Sequence, residues 1–150
     1  MPAAAANEER CCTSQFEGVV YSNIVVAGLA SNMTRGKSQT SLVHAVHDLA
    51  RTHSTQECRH ALHGEIVGVG LLCQLGYNEM PREEAYLRGL MQKLGAPSSL
   101  TEIGIELTEE NLATIEQALV ASRHYEGKGP DDLARLRRSI HKMVGSSPLE

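Results

Sequence analysis

Five of the seven histidines in this chain, His44, His47, His53, His60 and His63, fall between Leu42 and Glu65. Imidazole nitrogens bind borderline metal ions and exchange protons near neutral pH, so a cluster of them points to a metal centre or to acid–base chemistry. His44 and His47 are three residues apart, as are His60 and His63. On helices each pair shares a face, and two helices so furnished can converge on one ion. The plainer reading is a set of solvated or helix-end histidines, which is the commoner fate of any single one of them. A mononuclear catalytic ion takes about three protein donors and keeps a position open for substrate. Two histidines alone therefore do not complete a site.

The segments that must position these side chains read as helices. Leu42, Val46 and Leu49 recur at helical spacing beside His44 and His47, with Thr40 or Ser41 as the expected cap. A second helix should open near His63-Gly64-Glu65 and run through an apolar stretch to Leu75. Gly68 and Gly70 lie inside it, each costing about 1 kcal/mol against alanine. That cost predicts close packing against a neighbouring element.

Pro81 with Glu83 and Glu84 behind it, then Leu87, Leu90, Met91 and Leu94 before Gly95, punctuate a further helix. Thr108 should cap one carrying Leu112, Ile115 and Leu119, and Pro130-Asp131-Asp132 should start one carrying Leu133, Leu136 and Ile140. Upstream, Phe16, Val20 and Ile24 predict a helix ending near Ser31-Asn32, with Ile24-Val25-Val26 competing as a strand, and residues 33–40 read as a loop. The expected fold class is all-α, a helical bundle domain over residues 14–145 between a flexible leader, 1–13, and a flexible tail, 146–150.

Net charge is −4, from 14 Lys and Arg against 18 Asp and Glu. The basic cluster Arg135, Arg137 and Arg138 reads as one solvated helix face, so no nucleic-acid partner is expected. Cys11, Cys12, Cys58 and Cys73 form no Cys-x-x-Cys pair, which suits a reducing cytosol and a cytoplasmic location. Residues 1–10 lack both a basic n-region and an apolar stretch, so neither a secretory signal nor a membrane anchor is expected.

His44-Ala45-Val46-His47, followed by His63-Gly64-Glu65 and the run to Gln74-Leu75, resembles the C-terminal domain of glycerol dehydrogenases, within the iron-containing alcohol dehydrogenase superfamily. The upstream stretch from Glu17 to Ser31 is similar to the helix that precedes this motif there. The resemblance implies an all-helical domain that binds a divalent metal, zinc or iron, beside an N-terminal α/β domain that binds NAD. It implies His44 and His63 as metal ligands that approach one another because their helices pack through Gly68 and Gly70, and His47 as a catalytic histidine near a small polyol substrate. The metal would act as a Lewis acid on the substrate hydroxyl while hydride passes to the nicotinamide.

The sequence departs from that pattern in one respect. The family's aspartate ligand and glycine-rich phosphate loop lie further upstream than the 43 residues that precede His44. No Gly-x-Gly-x-x-Gly follows a strand pattern anywhere in the chain. The expectation is a helical half of an enzyme, inactive as an isolated chain, binding its metal weakly and binding NAD only with an N-terminal nucleotide domain. Asp48 or Glu65 is an unfavoured substitute for the missing donor, since Glu65 should point away from His63.

Two other readings remain open. A dehydroquinate synthase-like domain shares the His-Gly-Glu motif, but it is expected to carry Gly-His-Thr where this chain has Ser41-Leu42-Val43. A non-catalytic helical module would use its apolar surface to bind a partner or form a homo-oligomer.

Overall fold

The computed structural model describes residues 5, 9–26, 29, 42–122 and 129–144. The chain divides into two compact units, Met1–Gln39 and Thr40–Glu150. In the first unit, helix α1 spans Ser14–Tyr21 and continues as a π-helical turn over Ser22–Val26. Its cap is Thr13, whose hydroxyl accepts a hydrogen bond from Phe16 N at 3.2 Å. The competing strand at Ile24-Val25-Val26 is therefore a widened helical turn. Most of the expected leader, the helix end near Ser31-Asn32, the loop over 33–40, the caps Thr40 and Ser41 and the tail lie outside the described residues.

The second unit holds α2 (Leu42–His53), a 3-10 turn (Glu57–His60), α3 (His63–Tyr77), α4 (Pro81–Leu94), α5 (Glu109–Ala121), α6 (Pro130–Ile140) and a closing 3-10 turn (His141–Met143). No strand occurs among the described residues, and the fold is all-α. The sequence punctuation acts as expected. Pro81 and Pro130 stand in first turns, Thr108 accepts from Asn111 N at 3.1 Å, and Gly95 closes α4 in the left-handed conformation at φ 64°.

Helix α3 is the centre of this unit, and α2, α4 and α6 all pack on it. Ile66, Val69, Leu72 and Cys73 have no exposed surface. A helix enclosed by neighbours on several sides has no polar face to show, which is why its sequence is apolar all round. The outer helices instead bury one stripe each: Leu42, Val46 and Leu49 from α2, Ile115 and Leu119 from α5, Leu136 and Ile140 from α6. The connection between α4 and α5 also enters the core, through Leu100, Ile103 and Ile105. Leu100 N donates to Met143 O at 2.8 Å, tying that connection to the last turn.

The two glycines of α3 serve different contacts. A Cβ on Gly70 would stand 2.9 Å from Val43 O and 3.2 Å from Val46 Cβ, so α2 crosses α3 at this point. A Cβ on Gly68 would meet only Met91 Cε, at 3.2 Å, on α4. The expectation that both glycines join the histidine-bearing helices holds for Gly70 and not for Gly68.

Near α6, Cys73 Sγ lies 3.3 Å from Ser139 Oγ, both buried. Burial pushes the Cys73 thiol up to about 11, against a smaller lowering by the Ser139 hydrogen bond. Glu84 is buried as well, and is answered by Arg88 Nε and Lys142 Nζ, each at 3.1 Å. This ion cluster links α4 to the closing turn.

Two stability tests follow from these contacts. Gly70→Ala should lower the melting midpoint, because its Cβ meets rigid backbone and overpacking costs roughly 1–3 kcal/mol. Gly68→Ala should leave the midpoint unchanged or raise it, since a methionine methyl can yield and alanine favours helix. Equal losses in a thermal melt would contradict the assignment of the two contacts. For Cys73, a folded thiol raised from 9.0 to about 11 stabilises the protein fully below 9.0, and that contribution is lost as pH rises towards 11. Over that window the wild-type midpoint should fall more steeply than that of Cys73→Ala, and parallel curves would contradict the buried thiol.

Candidate histidine site

The crossing of α2 and α3 sets the register of the histidines. Val43 and His47 are four residues apart on α2, and His63 and Gly70 are seven apart on α3, so each pair shares one helix face. With Val43 against Gly70, antiparallel helices bring His47 towards His63 at the opening of α3. The observed separation agrees: His47 Nε2 lies 2.9 Å from His63 Nδ1, with ring centroids 4.3 Å apart and planes inclined at 66°.

Local contacts hold both ends of this pair. Leu62 is extended, with φ −71° and ψ 156°, and its N–H donates to Glu65 Oε2 at 2.7 Å, which fixes the first turn of α3 around His63. The connection between α2 and α3 is held by Arg51, whose guanidinium donates to Cys58 O at 3.3 Å and to Ala61 O at 2.9 Å. On α2, His47 Nδ1 lies 3.1 Å from Asp48 Oδ1. The side chain of His47 is 17% exposed and that of Asp48 77%, so the chain of contacts Asp48–His47–His63 runs along the surface end of the seam.

The other histidines are spread out. His44 is half-buried, one helical turn before His47 on α2. His53 is exposed at the last residue of α2. His60 ends the 3-10 turn, where its Nε2 accepts from Arg59 Nε at 2.9 Å, and it borders an open cleft of about 980 Å³ beside Glu65 and Arg88. It does not share a helix with His63. His141 is exposed, and His124 lies outside the described residues.

Imidazole donors suit zinc or iron in kind. They do not suffice in number here, because no group of three or more His, Cys, Asp and Glu side chains among the described residues is arranged to hold an ion. Glu65, one of the two substitute donors, is engaged in capping α3. Asp48, the other, sits on the far nitrogen of His47 from His63. The described residues by themselves therefore do not fit a resident metal. The cysteines supply nothing towards one: Cys58 and Cys73 are buried in the core, with their thiols raised by burial, and all four cysteines are free.

Comparison with known proteins agrees with the motif. The chain is 30% identical over 118 residues to glycerol dehydrogenase of Thermotoga maritima, covering 73% of this chain and 29% of that protein. Glycerol dehydrogenase 1 of Schizosaccharomyces pombe is 30% identical over 145 residues, covering 95% of this chain and 28% of the relative. Glycerol-1-phosphate dehydrogenase, NAD(P)+, of Aeropyrum pernix is 29% identical over 120 residues, 80% of this chain and 32% of the relative. No family model matches the chain, and no solved structure does. The fold is all-helical, and over the matched stretch the chain is similar to the glycerol dehydrogenases. It spans about a third or less of the length of these relatives. No helix among the described residues is long and apolar enough to cross a membrane.

Proposed function

We propose that this chain is the helical metal- and substrate-binding domain of an NAD-dependent polyol dehydrogenase acting on glycerol or a similar small alcohol. The observation that carries the reading is the meeting of His47 and His63 across the α2–α3 seam, in a chain related to glycerol dehydrogenases. The domain would contribute His44 and His63 as imidazole donors, with an acidic third donor coming from outside the described residues. A divalent ion completed by that donor would supply Lewis-acid stabilisation of an alcohol oxygen.

His47 stands against His63 and one turn from His44; with Nδ1 on Asp48 and Nε2 on His63, it would act beside a bound alcohol by orienting His63. The helical core supplies rigidity: the seam at Gly70 and the anchor at Arg51 hold the histidines on fixed elements. Hydride acceptance belongs to a nucleotide-binding domain, because this sequence has no glycine-rich phosphate loop after a strand. The chain by itself would not turn over. A cytoplasmic location belongs to the same reading and rests on the unpaired cysteines.

One observation favours a second reading. Tyr86, Leu90 and Leu94 are 75%, 40% and 66% exposed, at successive four-residue steps along α4. Such a stripe suits a partner or a second copy of the chain. A metal-free chain that self-associates would support this alternative over the dehydrogenase reading.

Zinc binding separates the two. Calorimetric titration of the wild-type chain should show weak binding, since two imidazoles leave the donor set incomplete. His44→Ala and His63→Ala should each abolish it, and His53→Ala should leave it unchanged. Binding should also weaken on acidification, because a protonated imidazole has no lone pair for an ion. Loss of binding in His53→Ala with retention in His44→Ala would overturn the ligand assignment.

A further inference from the structure

We propose that Asp48 is a positioning residue which, through His47, fixes the tautomer of His63 so that His63 presents Nε2 as its acceptor nitrogen. The inference deepens the dehydrogenase reading, in which His63 is a functional donor, but its own evidence is the geometry of three side chains. An ionised carboxylate only accepts hydrogen bonds. His47 Nδ1, 3.1 Å from Asp48 Oδ1, must therefore carry the hydrogen.

A neutral imidazole has one N–H, so His47 Nε2 is then an acceptor. The atom 2.9 Å from it is His63 Nδ1, which must donate. His63 has spent its single N–H in that bond, and its Nε2 is left with a bare lone pair. The direction of the chain is set at one end only. Remove the carboxylate, and nothing obliges either ring to keep its hydrogen on Nδ1.

Asp48 does little else in the fold. Its carboxylate is 77% exposed, and an exposed pair of this kind contributes little to stability. Its substitution should therefore change the histidines without unfolding the domain. That separation makes the proposal testable on the chain alone, with no metal and no substrate.

The test is long-range proton–nitrogen NMR of the imidazole rings in the nitrogen-15-labelled chain, at alkaline pH where ordinary imidazoles are neutral. In the wild type both His47 and His63 should be the Nδ1–H tautomer. Asp48→Ala should lose that preference at both rings while the melting midpoint stays unchanged. Asp48→Asn, whose amide oxygen can still accept, should restore it. A wild-type His63 protonated on Nε2, or tautomers unaltered in Asp48→Ala, would overturn the proposal. Failure of zinc to bind a chain whose tautomers behave as stated would count against the metal reading and leave the role of Asp48 standing.

Discussion

The arrangement depends on one close approach, that of α2 to α3 where Gly70 has no side chain. Val43 O occupies the space that a Cβ would need. The contact sets both the distance between the helices and their register, and the register decides which histidine of α2 meets His63. Core and site are thus coupled through backbone packing. Val46, Leu49, Ile66 and Val69 are buried along the same helices that carry the imidazoles. A histidine pair at the open end of such a seam inherits the rigidity of the core without being buried in it. Arg51 adds a second constraint, since its two hydrogen bonds to Cys58 O and Ala61 O hold the connection that delivers His63.

Much of this was legible in the sequence, for identifiable reasons. Pro81, Pro130, Thr108 and Gly95 end or begin helices through their own backbone chemistry, so their effects needed no tertiary information. The apolar run of α3 with its two glycines announced a tightly packed helix, and the spacing of His44 and His47 announced one helix face, whereas His60 lies in the 3-10 turn before the helix of His63. Other features were hidden because they arise only on packing. Nothing in the residues around Gly68 and Gly70 says which glycine meets α2 and which meets α4. The connection through Leu100, Ile103 and Ile105 has no periodicity, yet it fills the core beside Met143. Within the cluster, one-turn spacing placed His44 and His47 on one face equally, and only the crossing geometry set His47 beside His63. Spacing alone makes Asp48 a substitute ligand, whereas its carboxylate addresses the far nitrogen of His47. That role depends on a side-chain rotamer, which spacing does not encode.

The chemistry of the site is that of an incomplete set. Its imidazoles suit a borderline metal ion, and its carboxylates are committed elsewhere: Glu65 to the first turn of α3, Asp48 to His47 and Glu84 to Arg88 and Lys142. What the described residues supply is a pair of imidazoles held on packed helices, His47 against His63. The likeness to glycerol dehydrogenases extends over about a third or less of their length.

The central claim is that the α2–α3 seam, with no metal to gather them, brings His47 and His63 into direct hydrogen-bond contact. A crystal structure of the chain grown without added metal tests it most directly. The account predicts His47 Nε2 and His63 Nδ1 within hydrogen-bond distance, about 3.2 Å or less. Packed helices with the two rings separated beyond about 3.5 Å would contradict it.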